Sequence, residues 1–114
     1  MEVFEDIIDT ILIHSKITDN FKISDFWKIV NRIKGRKVSF ETNASIDNIH
    51  VIPNTEYTIT VEKIELILVN NNEYRVCFFD KKNIYHVDTL KEIKVIGRRI
   101  KSSADPYGEE DWNS

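Results

Sequence analysis

The apolar residues of the first third of the chain recur at helical spacing. One stripe predicts a helix over residues 2–16 and consists of Phe4, Ile7, Ile8, Ile11 and Leu12. A second stripe predicts a helix over about residues 25–34 and consists of Phe26, Ile29, Val30 and Ile33. Ser24 suits the N-cap of this second helix, because its hydroxyl can accept a hydrogen bond from a free backbone N–H. Gly35 can adopt the left-handed conformation that ends a helix.

From Arg36 onward the apolar positions alternate with polar ones, which is the pattern of half-buried strands. The pattern recurs over residues 36–40, 57–61, 64–68, 74–79, 85–87 and 93–96. Residues 43–55 form a long, mostly polar loop, and Asn70–Asn72 is typical of a tight hairpin because Asn tolerates positive φ. The parity of the apolar positions slips near Glu62 and Lys63, which predicts a bulge, a kink or a turn there.

The segment Gly35–Gly97 resembles a small SH3-like barrel. The resemblance rests on the order of its features: a first strand over Arg36–Phe40, a long irregular loop to Thr55, strands joined by tight hairpins, and a short helical turn before a closing strand within Val87–Ile96. The residues of the groove that binds proline-rich peptides in signalling SH3 domains are not evident. The resemblance therefore implies a fold and not that function. An OB-fold is the main alternative for a five-stranded barrel, but no helical segment lies between the later strands.

These patterns together predict an α+β domain in which two N-terminal helices pack on a small antiparallel SH3-like β-barrel. We expect residues 1–101 to form this single domain, with a helical part over 1–34 and the barrel over 35–101. A length of 114 residues suits one domain with one modest core. Residues 102–114 contain Ser, Asp, Glu and Pro with few apolar side chains, so we expect a flexible acidic tail.

Composition narrows the class of protein. Apolar residues make up 41% and charged residues 31%, which is typical of a globular chain, and the net charge of −3 excludes a globally basic nucleic-acid binder. The single cysteine, Cys77, rules out an intramolecular disulfide and fits a reducing compartment. The acidic N-terminus is unlike a signal peptide, and no apolar run approaches the about 20 residues of a membrane span. We therefore expect a cytoplasmic protein without a membrane partner.

Positive charge is concentrated in two basic stretches. The first consists of Lys28, Arg32, Lys34, Arg36 and Lys37, and the second of Lys94, Arg98, Arg99 and Lys101. In an SH3-like barrel the first and last strands pair antiparallel, so the start of the first lies beside the end of the last. This pairing would merge both stretches into one patch that attracts phosphates or an acidic protein surface. The alternative is a solvated surface whose charges are offset by acids of the first helix or of the tail.

Two tryptophans are candidates for partner contacts. Trp27 lies beside Phe26, and both side chains cannot face the same core fully. In one interpretation an aromatic side chain is exposed to a partner. In the other, the first helix covers one side of this pair and the barrel covers the other. Trp112 lies in an acidic cluster with Asp105 and Glu109–Asp111 and could anchor that cluster on a basic partner. The cluster could equally fold back over the protein's own basic patch, or remain a disordered solubilising tail.

No residue pattern indicates a catalytic site, a metal or a cofactor. Cys77 lies in a predicted strand with Arg75 as its only basic neighbour, whereas a nucleophile needs a lowered thiol pKa and a nearby base. The histidines are far apart in sequence and lack the spacing of metal ligands: His14, His50 and His86. The chain has three glycines and no glycine-rich phosphate loop.

We therefore expect a non-catalytic protein that covers a surface of a partner protein through the two basic stretches, Trp27 and Trp112. Ile, Lys and Asn are abundant and Ala and Gly are scarce. This bias is typical of AT-rich coding DNA and suggests a phage or mobile-element inhibitor of a host enzyme or defence nuclease. The alternative is nucleic-acid binding through the basic patch, with Trp27 or Tyr85 stacking on bases. An enzyme would require Cys77 or one of the histidines to be essential for activity.

Overall fold

The computed structural model describes the backbone of residues 2–101 and 110–113 and the side chains of residues 5–98. In this part of the chain one helix and eight strands form, and all strand pairings are antiparallel. Their bounds in chain order are β1 Glu2–Ile11, α1 Ile23–Ile33, β2 Lys37–Glu41, β3 Glu56–Thr60, β4 Lys63–Leu68, β5 Tyr74–Phe79, β6 Ile84–His86, β7 Ile93–Lys101 and β8 Glu110–Asn113.

The prediction of a first helix is wrong, because its residues form the strand β1, which pairs with β7. The register shifts between Ile7 and Asp9, so Ile8 is an extra residue in the strand. This bulge reverses the alternation of apolar side chains, which makes an irregular strand resemble a helix in the sequence. β-branched residues such as Ile7, Thr10 and Ile11 favour the strand.

The second predicted helix is present as α1, which is 11 residues long. Its N-cap is Lys22 rather than Ser24, and the Asp25 carboxylate accepts a hydrogen bond from the Lys22 backbone N–H at 3.0 Å. Gly35 follows the helix with a φ of 82°, as predicted. The buried side chains of the helix are Phe26, Val30 and Ile33. Among the described residues, no helix combines the length and the apolar content needed to cross a membrane.

The strands form two antiparallel sheets. The first has the order β1–β7–β2–β3, with β8 also paired to β7, and the second has the order β4–β5–β6. The domain is therefore mostly β-structure, and the predicted α+β class with two N-terminal helices on a closed barrel is wrong. The helical part expected over residues 1–34 contains β1 as well as α1. The two sheets are consistent with a small barrel-like fold, but in the described residues they do not close.

The chain passes from the first sheet to the second at Val61 and Glu62, between β3 and β4. The Val61 N–H donates to the carbonyl of Arg36 at 3.0 Å, and the Glu62 N–H donates to the carbonyl of Phe79 at 2.8 Å. Val61 is therefore bonded to the residue that precedes β2 of the first sheet, and Glu62 to the last residue of β5 in the second. This confirms the break that the apolar parity predicts near Glu62 and Lys63.

The core lies between the two sheets and α1. Phe40 of β2 and Phe78 of β5 are almost fully buried and meet edge to face, with their ring centroids 5.0 Å apart. Phe26 of α1 meets Tyr74 of β5 in the same way at 5.4 Å. Aromatic pairs of this geometry contribute about 0.5–1.5 kcal/mol beyond the area they bury. The helix is thus tied to the second sheet, while the chain that follows it enters the first.

Candidate partner-binding groove

One groove collects residues from both basic stretches. β2 and β7 pair antiparallel with Lys37 opposite Ile96, so the residues before Lys37 lie beside those after Ile96. As a result Arg36, Lys37 and Arg98 line a single groove of about 390 Å³. We call it the basic groove. Its other lining residues are Glu5, Gly35, Thr60, Ile96 and Gly97.

The backbone at Gly35 places Arg36 in this groove. Gly35 has a φ of 82° and lets the chain reverse between α1 and β2. Its N–H donates to the carbonyl of Val61 at 2.7 Å, and the Val61 N–H donates to the carbonyl of Arg36 at 3.0 Å. A Cβ at Gly35 would meet no atom within 4 Å, so the requirement for glycine comes from the left-handed φ alone.

Acidic side chains neutralise part of the predicted patch. The ion pairs that involve predicted residues are Lys37–Glu5, Arg32–Asp9 and Lys94–Glu56. Inside the groove, Lys37 Nζ lies 2.6 Å from Glu5 Oε2. Exposed pairs of this kind contribute about 0–1 kcal/mol each to stability. Their larger consequence is electrostatic, because they lower the net positive charge of the surface.

Among the described side chains, no acid pairs with two cations of the groove, Arg36 and Arg98. Neither forms a salt bridge or a side-chain hydrogen bond with the described side chains. Arg36 is half-buried and Arg98 is exposed. Glu5 is the register partner of Arg98, but its carboxylate contacts Lys37. Two guanidinium groups at one groove can bind carboxylate or phosphate oxygens in a bidentate manner.

Of the other predicted cations with described side chains, none lines the groove: Lys28, Arg32, Lys34 and Lys94. Lys28 of α1 and Lys34, which directly follows the helix, are exposed and form no ion pair with the described side chains. Arg99 and Lys101 belong to β7, where their backbones pair with β1 and β8, and their side chains lie outside the described residues. Of the seven predicted cations whose side chains are described, three line the groove.

Trp27 lies on α1 and is not among the residues that line the groove. Its side chain is 45% exposed, whereas Phe26 is fully buried, and the two rings meet edge to face at 5.5 Å. Ile23, one turn earlier, is also exposed. The helix predicted over residues 2–16, which could have covered Trp27, is a strand, and the Trp27 side chain is exposed. Its role in partner binding stays a prediction.

The predicted acidic tail is described in part. Residues 102–109 and 114 lie outside the described residues, and Glu110–Asn113 form β8. In the pairing with β7, Asn113 is opposite Arg98 and Trp112 is opposite Arg99. The side chain of Trp112 is not among those described. The end of the acidic cluster thus lies along the second basic stretch, which matches the alternative in which the tail folds back.

A thiol–imidazole pair in the β5–β6 hairpin escaped the sequence analysis. Cys77 and His86 are register partners, and Cys77 Sγ lies 3.4 Å from His86 Nδ1. Burial raises the pKa of Cys77, the Glu65 carboxylate raises it further and Arg75 opposes both. Burial lowers the pKa of His86, and Arg75 adds to this. Both directions favour a neutral thiol beside a neutral imidazole, which is the wrong state for a nucleophile. The turn at Asp80–Asn83 was the signal that could have placed the two residues opposite each other.

A second groove, of about 580 Å³, lies between the β4–β5 hairpin and the turn before β7. Its charged lining residues are Lys16, Glu73, Arg75 and Asp88. Lys16 and Glu73 pair at 3.8 Å, and the Asp88 carboxylate accepts a hydrogen bond from the Leu90 N–H at 3.0 Å. Charges of opposite sign are therefore equal in number, and this groove lacks the excess of cations seen in the basic groove.

Neither a search for metal-binding side chains nor a comparison with known proteins identifies a further candidate functional site. The part of the chain that the structure describes contains no group of three or more His, Cys, Asp or Glu side chains that could hold a metal ion. In comparisons with known proteins, no family model, no curated protein and no solved structure matches the chain. The geometry of the basic groove is therefore the basis for inferring function.

Proposed function

We propose that this protein is a non-catalytic binding module that covers an acidic surface of a partner protein. Arg36 and Arg98 bind carboxylates of the partner, and the action is steric and electrostatic without turnover. The observation that carries the proposal is the pairing of β2 with β7, which brings two guanidinium groups from distant parts of the sequence to one groove, where no described acid pairs with them. Charge complementarity of this kind steers association and disfavours wrong partners.

The scaffold of this module is an SH3-like arrangement over residues 35–97. The pairing of β2 with both β3 and β7, and the separate sheet of β4, β5 and β6, support this topology. A turn in which the Lys91 N–H donates to the Asp88 carbonyl at 3.1 Å precedes β7, as in that fold. An experimental structure in which β2 and β7 do not pair would contradict both the scaffold and the groove.

The mixed charge of the surface favours a protein over a nucleic acid as the partner. Glu5 lies inside the groove, and Asp9 and Glu56 lie beside other predicted cations. These carboxylates would repel a phosphate backbone, and the whole chain carries a net charge of −3. A protein surface can match alternating charges residue by residue. We therefore expect a partner segment with carboxylates for the two arginines.

The test is a charge reversal in the full-length protein, Arg36→Glu with Arg98→Glu. Tagged protein captures partners from a lysate of the cells that carry it, and mass spectrometry measures the ratio of each partner to the bait. The purified partner is then titrated by calorimetry. We expect one stoichiometric partner and an affinity loss of about tenfold or more, which corresponds to about 1.4 kcal/mol.

The matched control is Lys82→Glu with Lys91→Glu, which makes the same change in net charge at exposed lysines outside the groove. Its affinity should equal that of the wild type, and thermal melts should show that both variants fold. Unchanged partner affinity in the arginine variant would contradict the proposal. Tight binding to labelled DNA or RNA that falls steeply with salt, without a protein partner, would contradict it in favour of a nucleic-acid function.

A further inference from the structure

One edge of β7 is shared by two strands. β1 pairs with β7 along its whole length and occupies one edge. The other edge pairs with β2 over Lys94–Ile96 and with β8 over Arg98–Lys101. Gly97 lies between these two pairings and lines the basic groove. The groove therefore lies where the pairing of this edge with β2 ends and its pairing with β8 begins.

The paired stretches of β7 and β8 carry opposite charges. The β7 stretch Arg98–Lys101 contains three basic residues among its four, and β8 contains Glu110 and Asp111. The register places Glu110 opposite Lys101 and Asp111 opposite Ile100, which is flanked by basic residues. Opposite charges on directly opposed residues of neighbouring strands stabilise the pairing. An acidic strand is thus the complement of this edge.

We propose that the β7 edge at Arg98–Lys101 is a strand-addition site for an extended acidic segment of the partner, and that β8 is the internal competitor for it. The proposal rests on the proposed function, because it specifies how the acidic partner binds. Strand addition supplies main-chain hydrogen bonds for affinity, while side chains at alternate positions give specificity. A partner segment longer than β8 would continue along β7 past Gly97 into the groove and reach Arg36.

The short length of β8 makes it displaceable. β8 has four residues and pairs with β7 and with no other described strand. A strand with so few pairings opens locally at a much lower free energy than the strands of the core. While β8 occupies the edge, the apparent affinity for a competing strand is reduced by the fraction of molecules in which the edge is free. The acidic C-terminal strand thereby lowers binding to weak acidic competitors.

Amide hydrogen exchange of full-length proteins tests whether β8 protects the edge. Glu110→Lys with Asp111→Lys places cations opposite the basic stretch, and we expect the amides of Arg98–Lys101 that face β8 to exchange about tenfold faster. The control is Asp105→Lys with Glu109→Lys, which changes the net charge equally outside β8 and should exchange like the wild type. Trp112→Pro is a second variant that weakens the strand without a charge change. Equal rates in all four proteins would overturn the proposal.

A labelled peptide with the sequence of residues 108–114 tests whether the edge accepts a strand in trans. Fluorescence anisotropy at low salt should show about tenfold tighter binding to the Glu110→Lys, Asp111→Lys protein than to the wild type. Adding Arg98→Glu should weaken that binding, and the peptide should restore slow exchange of Arg98–Lys101. The same weak affinity for the wild type and the variant, with no change in exchange, would overturn strand addition.

These experiments separate the two proposals. If Arg36→Glu with Arg98→Glu abolishes partner binding but the β8 variants leave exchange and peptide affinity unchanged, the strand-addition proposal fails and the proposed function stands. If the β8 variants behave as expected but the arginine variant still binds its partner normally, the edge accepts strands and the proposed function fails.

Discussion

The basic groove brings together cations that are distant in sequence, and the β5–β6 hairpin brings together a thiol and an imidazole. The two regions differ in whether these side chains find partners within the protein. In the hairpin, the Cys77 thiol and the His86 ring bond to each other, and Cys77 is almost fully buried. In the groove, Lys37 has an acidic partner, while Arg36 and Arg98 have none among the side chains that the structure describes. Buried polar groups must be satisfied within the protein, whereas exposed charges can be satisfied by a partner. The comparison separates residues that maintain the fold from residues that are available for binding.

The largest expected effect on the free energy of unfolding comes from a core residue of the β5–β6 hairpin. Phe78→Ala removes a fully buried ring that meets Phe40, and we expect the free energy of unfolding to fall by about 3–5 kcal/mol. The counterpart in the groove, Arg36→Ala, should change it by no more than about 0.5 kcal/mol. Urea unfolding followed by fluorescence measures both. A similar loss in the two variants would erase the distinction between the two regions.

The next effect concerns the backbone of the groove rather than its charges. Gly35→Ala introduces a Cβ at a φ of 82°, and we expect a loss of about 1–2 kcal/mol in the free energy of unfolding. Gly35→Asn should lose less, because Asn adopts the left-handed region more readily. Since no atom lies within 4 Å of the added Cβ, crowding is not a competing explanation. An unchanged stability for the Ala variant would contradict the role of Gly35 in orienting Arg36.

A smaller effect is expected for the ion pair inside the groove. A double-mutant cycle of Lys37→Ala and Glu5→Ala should give a coupling energy of about 0.2–1 kcal/mol that disappears near 1 M salt. Lys82→Ala combined with Glu5→Ala serves as the control and should show no coupling. A coupling well above this range would mean that the pair is part of the scaffold, like the hairpin residues, and does not merely tune the charge of the groove.

The smallest expected effect is a pH dependence from His86. Burial and then Arg75 lower the pKa of His86 below its usual 6.5, so just below that value the unfolded chain binds a proton that the folded protein resists. Stability should therefore fall as the pH decreases from about 7.5 to about 5.5. Urea midpoints should fall less for His86→Gln than for the wild type, and His50→Gln, at an exposed position, should match the wild type. Identical pH profiles for all three proteins would contradict the coupling of His86 to the fold.

Local signals were sufficient for much of the fold. Gly35 predicted the end of α1, Asn70–Asn72 predicted a hairpin, and the parity slip predicted the crossing between sheets. The N-terminal segment was misassigned because the bulge at Ile8 interrupts its alternation. A bulge is visible only in the register with the partner strand, and that partner, β7, lies at the other end of the sequence.

The sequence predicted which cations meet at the candidate site, but not which acidic residues pair with the predicted cations. The resemblance to a small barrel predicted that the first and last barrel strands meet, which places Arg36 and Arg98 at one groove. The acids that pair with Lys37 and Arg32 are Glu5 and Asp9 of β1. The alternative of charges offset by N-terminal acids is thus realised in part, but from a strand instead of a helix. These contacts depend on the pairing of β1 with β7, which no local pattern reveals.

By itself, the sequence determined the elements whose signals span a few residues: the amphipathic stripe of α1, the alternating strands, the turns, and the presence of two basic stretches. Only the tertiary structure decided which cations stay unpaired, that Cys77 and His86 satisfy each other, and that an acidic strand lies along a basic one. Hydrophobic periodicity and turn chemistry act between neighbours in the chain. Charge pairing and strand register act between residues that become neighbours only after folding.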